Sequence, residues 1–210
     1  MQVSDLRAPW TQTNYPYTND LMLINKAYAN MIIAHQYDEK RYYHNLTHIL
    51  QLVSLQQAYA DRIRDNEVVL FSIFFHDIIY NAKRSDNEEK SAAAAVEHLQ
   101  RIGFPADRTA AVNDFIIATK THINTQNDPD LDYFLDFDLQ ILGTSPEAYG
   151  QYTQQIRQEY SMYPDLLYKP GRKKAMQHFL DMPSIFRTPV FRELYEEQAR
   201  QNIQAEINTL

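Results

Sequence analysis

Residues 68–80 read VVLFSIFFHDIIY, an almost unbroken apolar run that carries His76 and Asp77 side by side near its end. On a helix, the neighbours of His76 three and four positions away are Ser72, Ile73, Ile79 and Tyr80. Those of Asp77 are Ile73, Phe74, Tyr80 and Asn81, so the pattern predicts that both polar groups look into an apolar interior. An ionised carboxylate left unpaired there would cost several kcal/mol. Two arrangements avoid that cost. His76 can be a core histidine bonded to a neighbour while Asp77 caps a backbone, or both can coordinate a divalent cation through imidazole nitrogen and carboxylate oxygen.

Working outward, apolar spacing and capping residues predict helices on both sides and no sustained strand alternation. Asn19 or Asp20 can cap a helix running to about residue 37, and Asn45 or Thr47 one through about residue 60. After the apolar run, Ser85 and Glu88 read as a capping box for an Ala-rich helix ending before Gly103. Asp107 can cap the next. Residues 131–142, LDYFLDFDLQIL, make a sixth helix, Ser145-Pro146 opens a seventh, Pro170 an eighth and Thr188-Pro189 a polar last one. The expected fold is all-α, a bundle of about eight to nine helices in a single domain over residues 1–210, with N-terminal (1–38) and C-terminal (about 165–210) helices packed on the core.

Composition narrows the function classes. At 210 residues and 44% hydrophobic, the chain can bury a proper core. It has no cysteine, so any metal is held by nitrogen and oxygen, which excludes iron–sulfur clusters and Cys-type zinc sites. The start, MQVSDLRAPW, lacks the charged, apolar and small-residue segments of a signal peptide, and the longest apolar run falls short of the roughly 18–20 residues of a membrane span. A cytoplasmic protein without membrane contact is expected. A net charge of −7 argues against general nucleic-acid binding, although a local basic pocket is compatible with it.

The remaining polar residues divide unevenly. His44 and His48 are four apart and would share a helical face, but if Asn45 is the cap, His44 lies outside the helix. His122 ends a helix, where a cation suits the macrodipole. His35, His98 and His178 have no acidic or histidine company nearby and read as surface or boundary residues. Asp138 has only Phe134, Leu135, Ile141 and Leu142 at helical spacing, so it points where a core residue should, whereas Asp136 has a mixed set of neighbours.

The order His48, then His76-Asp77, then Asp138 resembles the HD-domain superfamily of metal-dependent phosphohydrolases. His48 stands in THILQLV, the doublet in FFHDIIY and Asp138 in FDLQILG. RYYHNLTHI, SDNEEKSA, IRQEY and Gly171-Arg172 extend the likeness to a subfamily of uncharacterised bacterial members over nearly the whole chain.

That resemblance implies His48, His76, Asp77 and Asp138 as ligands of a divalent metal ion, with Mn, Mg, Co, Ni, Fe and Zn not distinguishable. It implies catalytic roles for Asp77, for Glu88 in proton transfer, and for His122 towards a second metal or the substrate. Arg41, His44 and Arg172 are weaker candidates for the substrate phosphate, and Lys83, Arg84 and Lys120 are further basic residues. Two imidazoles and two carboxylates leave a divalent ion nearly neutral with open positions, and metal binding lowers the pKa of water towards about 7 to 9. The expected activity is hydrolysis of a small phosphorylated metabolite, a nucleotide foremost, by a metal-bound hydroxide. Two other classes share the motif: a metal-containing nucleotide-binding or regulatory module without turnover, and a di-iron oxygenase. The substrate, one ion or two, and the oligomeric state are open at this point.

Overall fold

A computed structural model describes residues 6–36 and 40–210. The described residues form ten α-helices and no strand, so the chain is all-α. The helices are α1 (Arg7–Asn14), α2 (Leu21–Gln36), α3 (Leu46–Ala58), α4 (Asn66–Phe75), α5 (Asn87–Ile102), α6 (Ala106–Ala118), α7 (Pro129–Leu139), α8 (Pro146–Glu159), α9 (Asp165–Asp181) and α10 (Pro189–Thr209). The helix beyond the eight or nine expected is α1, which has no side-chain cap to announce it.

The chain clusters into two compact units, Met1–Phe134 and Leu135–Leu210. In the first, α4 is the central helix and packs against α1, α3, α5 and α6. Its residues Val68, Val69, Phe71, Ile73, Phe74 and Phe75 are all buried, which is why the run is apolar on every side and not in a stripe. Trp10 of α1 is fully buried against Phe74 with rings edge to face at 5.2 Å. In the second unit α10 packs along α9 and along the short 3-10 segment Gln140–Gly143 that follows α7. A Cβ at Gly143 would stand 2.5 Å from the Cβ of Tyr195, so only glycine lets the two backbones approach this closely.

Several expected caps are formed. Asn45 accepts from the Thr47 N–H at 2.8 Å, Ser145 from Ala148 at 3.3 Å and Thr188 from Phe191 at 3.3 Å; Asp20 accepts from Leu23 at 3.0 Å ahead of α2. Other boundaries differ. Asp86, not Ser85, precedes α5, so the capping box is absent. Pro105, not Asp107, stands at the N-cap of α6, its carbonyl taking the Thr109 N–H at 2.8 Å. Pro170 lies inside α9, which begins at Asp165; the carbonyl its missing N–H leaves open is that of Leu166, a residue 84% exposed.

The most consequential difference is at the doublet. α4 ends at Phe75, with His76 as its C-cap and residues 77–79 in turn and bend. Ile79 and Tyr80 are therefore not helical neighbours of His76. The Ile73 carbonyl, which a continuing helix would offer to the Asp77 N–H, instead lies 2.9 Å from His76 Nδ1, and Arg41 holds the turn that follows by donating to the carbonyls of Asp77 at 2.6 Å and Ile78 at 3.1 Å.

Candidate metal centre

His48 comes from the first turn of α3, made rigid by the Asn45 cap, and His76 from the end of α4; both are buried to 2% exposure. The Nδ1 of His76 lies 2.9 Å from the Ile73 carbonyl oxygen, which can only accept, so Nδ1 carries the proton and Nε2 is the atom turned to the site. That Nε2 is 3.0 Å from Asp77 Oδ2 and 3.2 Å from His48 Nε2, and His48 Nε2 is itself 3.9 Å from Asp77 Oδ2. Three lone-pair atoms converge. Such a cluster holds together only around something positive, either a proton on an imidazole or a metal ion.

Asp77 stays ionised in this setting. Burial pushes its carboxyl up, but without a metal ion the imidazoles of His76, His44 and His48, once protonated, and the hydrogen bond that a protonated His76 Nε2 then gives outweigh that and hold it well below the usual carboxylate range. His44 belongs to the site's surroundings even though it precedes α3: its ring stacks on Tyr80 at 4.2 Å and stands edge to face with His48 at 6.1 Å. Residues that sequence spacing could not connect, His44 and Tyr80, are joined here by the turn that ends α4.

Asp138 is carried by α7, one unbroken helix. It lies one turn beyond Phe134, whose ring meets the His76 ring edge to face at 5.9 Å. His48, His76 and Asp138 form a group that could hold a metal ion; Asp138 is half-buried where its apolar neighbours predicted a core position. Asp136 is the fully buried carboxylate. It accepts from the Arg187 and Thr188 backbone N–H groups at 2.8 Å each and from the Thr188 hydroxyl at 2.7 Å, tying α7 to the start of α10. Burial pushes its pKa up to about 6 in spite of those donors.

The other expected site residues fall elsewhere. Glu88 sits half-exposed in the first turn of α5, and His122 lies beyond the end of α6 in a left-handed turn with φ 52°; neither is a member of the metal-binding group. Lys120 pairs with Glu89. Arg172 is inside the second unit, where it donates to Glu206 at 2.8 and 3.1 Å and to the Tyr152 hydroxyl at 3.3 Å, so its charge is already matched by a buried carboxylate. Arg41 is 9% exposed and spends two donors on the backbone of the doublet, which makes it a positioning residue. His35 and His98 are buried, not boundary residues: His35 bonds Met31 O at 2.8 Å and His98 bonds Asn14 at 2.7 Å, and burial lowers their pKa values to about 3 and about 4.

No described helix is long and apolar enough to cross a membrane. Comparisons with protein-family models, with curated proteins and with solved structures gave no match.

Proposed function

We propose that this chain is a metal-dependent phosphohydrolase of the HD-domain type, acting on a small phosphorylated metabolite of which a nucleotide is the leading candidate. The observation that supports it is the convergence of His48 Nε2, His76 Nε2 and Asp77 Oδ2 within 3.0 to 3.9 Å, with Asp138 as a second carboxylate. Two neutral imidazoles and two carboxylates suit a divalent ion in charge and in donor type, which a single shared proton would not balance. The order in which these residues occur along the chain matches the HD pattern.

A divalent ion held there lowers the pKa of water and offsets charge developing on a phosphoryl group. The chain's own residues do the rest. The Ile73 carbonyl fixes the tautomer and direction of His76; Arg41 holds the turn that presents Asp77; for His44, stacked on Tyr80 and edge to face with His48, the proposed role is to hold or deliver a proton beside Asp77. Glu88 is the proposed proton-transfer carboxylate and His122 the proposed contact to substrate.

The test is elemental analysis of the purified protein together with a panel of phosphate esters assayed with manganese, magnesium, cobalt and nickel. Bound divalent metal with released phosphate supports the proposal. Two irons with oxygen uptake would replace it with an oxygenase, and tight nucleotide binding without turnover would replace it with a sensing module.

A further inference from the structure

On the outer side of the turn that carries Asp77, a groove of about 750 Å³ opens between the C-terminal half of α2 and the start of α5. That volume suits one small molecule. Among the described residues its charged lining is entirely cationic: Lys40, Arg41, Arg84 and Lys90. In a chain of net charge −7, four cations gathered on one groove make a local field opposite in sign to the whole. Asp86 offsets part of it, accepting both Nε and Nη2 of Arg84 at 2.6 Å and Lys90 Nζ at 3.4 Å. One acid shared by two cations leaves one positive charge over on the Arg84–Lys90 pair and sets where the two side chains stand. Arg41 is fixed from the other side, through the Asp77 and Ile78 carbonyls.

The rest of the lining is of another kind. Ile33 and Ile79 are 55% and 38% exposed, and Tyr80 closes the edge nearest His44. A groove with cations along one part and bare aliphatic surface along another matches a ligand that has several phosphates and an apolar or planar organic group. The turn 77–80 is common to the groove and to the doublet.

We propose that this groove binds the phosphate chain of a polyphosphorylated small molecule, with the organic part lying over Ile33 and Ile79. Resting on the phosphohydrolase reading, this makes the substrate a polyphosphate ester and not a simple monoester. A chain of three phosphates carries more charge and more acceptor oxygens than a single phosphate, so it can pair with more of these cations at once.

The test separates groove from metal site by measuring binding to the full chain in excess EDTA, where no turnover occurs. Isothermal titration uses inorganic tripolyphosphate and orthophosphate as probes. Wild type is compared with the triple variant Lys40→Ala/Arg84→Ala/Lys90→Ala and with a charge-matched control, Lys26→Ala/Lys173→Ala/Lys174→Ala, whose residues are exposed elsewhere. Since Lys40, Arg84 and Lys90 are exposed, both variants are expected to keep the wild-type circular dichroism and melting point. Tripolyphosphate is expected to bind at least about tenfold tighter than orthophosphate, with the groove variant losing roughly tenfold or more and the control less than about threefold. Equal loss in both variants, no preference for the longer chain, or no binding to wild type would each overturn the groove assignment while leaving the metal analysis untouched. Conversely, a protein that binds tripolyphosphate in this way but hydrolyses no phosphate ester keeps the groove and loses the phosphohydrolase.

Discussion

Replacing His76 by alanine probes the centre where its geometry is tightest. In the metal-free protein the change removes the donor to the Ile73 carbonyl and opens a void against the ring of Phe134, a cost on the order of 1 to 3 kcal/mol. Relief of the crowding between Nε2, Asp77 and His48 offsets part of that, so the variant is expected to stay folded. The metal-loaded state loses much more. Deleting one protein ligand should weaken binding by roughly 100-fold or more, equivalent to about 2.7 kcal/mol. With free metal at about 100 times the wild-type Kd, wild type gains about 2.7 kcal/mol of stability; the variant, whose Kd then equals the metal concentration, gains about 0.4 kcal/mol. For a chain of 210 residues those gains correspond to a melting-point rise of roughly 5 to 10 °C in wild type and about 1 °C in the variant. Differential scanning calorimetry with manganese against EDTA, and elemental analysis of the same samples, measure both quantities. Asp77→Ala should behave alike. Full metal content and an unchanged thermal gain in both variants would refute the ligand assignment.

Three further outcomes follow from neighbouring residues. Asp138→Asn should abolish the metal-induced thermal gain with little effect on the apo protein, whereas Asp136→Asn should leave metal content and activity within about tenfold of wild type; its amide has one oxygen for the two backbone N–H groups of residues 187 and 188. The reverse pattern would mean that the wrong carboxylate has been chosen. Glu88→Gln should lower phosphate-ester turnover by roughly 10²-fold with metal content unchanged, and unaltered turnover would remove Glu88 from the mechanism. Finally, His98 is held neutral in the fold with its pKa lowered from 6.5 to about 4, so the unfolded chain takes up its proton first as pH falls. The stability it contributes is complete above about 6.5 and is lost as pH drops towards 4, by on the order of 3 kcal/mol. Urea titrations of wild type and His98→Gln across that window should diverge, and parallel curves would sink the assignment.

The parts of the structure legible in the sequence are those whose causes are local. Asn45, Ser145 and Thr188 cap helices because their side chains reach a backbone N–H two or three residues on, and that chemistry is visible in a short window. What the sequence concealed depends on distant partners. The apolar run continues past Phe75, but the helix does not: the His76 ring takes the Ile73 carbonyl that the Asp77 N–H would need, and a guanidinium 36 residues before Asp77 holds the turn by donating to the carbonyls of Asp77 and Ile78. Asp136 looked like a boundary residue until its donors arrived from 51 and 52 residues away, and His98 looked ordinary until Asn14 met it from 84 residues away. Arg172 stands beside Gly171 in the sequence, while its partner Glu206 lies 34 residues on. The order of His48, His76-Asp77 and Asp138 is legible without these partners, because the spacing of chemically distinctive residues along the chain does not depend on where a helix stops.

That stop has a dynamic consequence. Because Asp77 stands on a turn and not within α4, withdrawing it from the cluster breaks the two Arg41 hydrogen bonds and the turn's own bonds, Ile78 N–H to the Phe75 carbonyl and Ile79 to Ser91, while the ten-residue helix behind it can remain intact. Amide exchange would then show two separate openings: a low-energy one confined to residues 77–80, quenched when an ion is bound, and a high-energy one in the buried body of α4 that an ion barely alters. Ligand exchange at such a centre runs at the pace of a small turn, not at the pace of unfolding the core on which the turn is mounted.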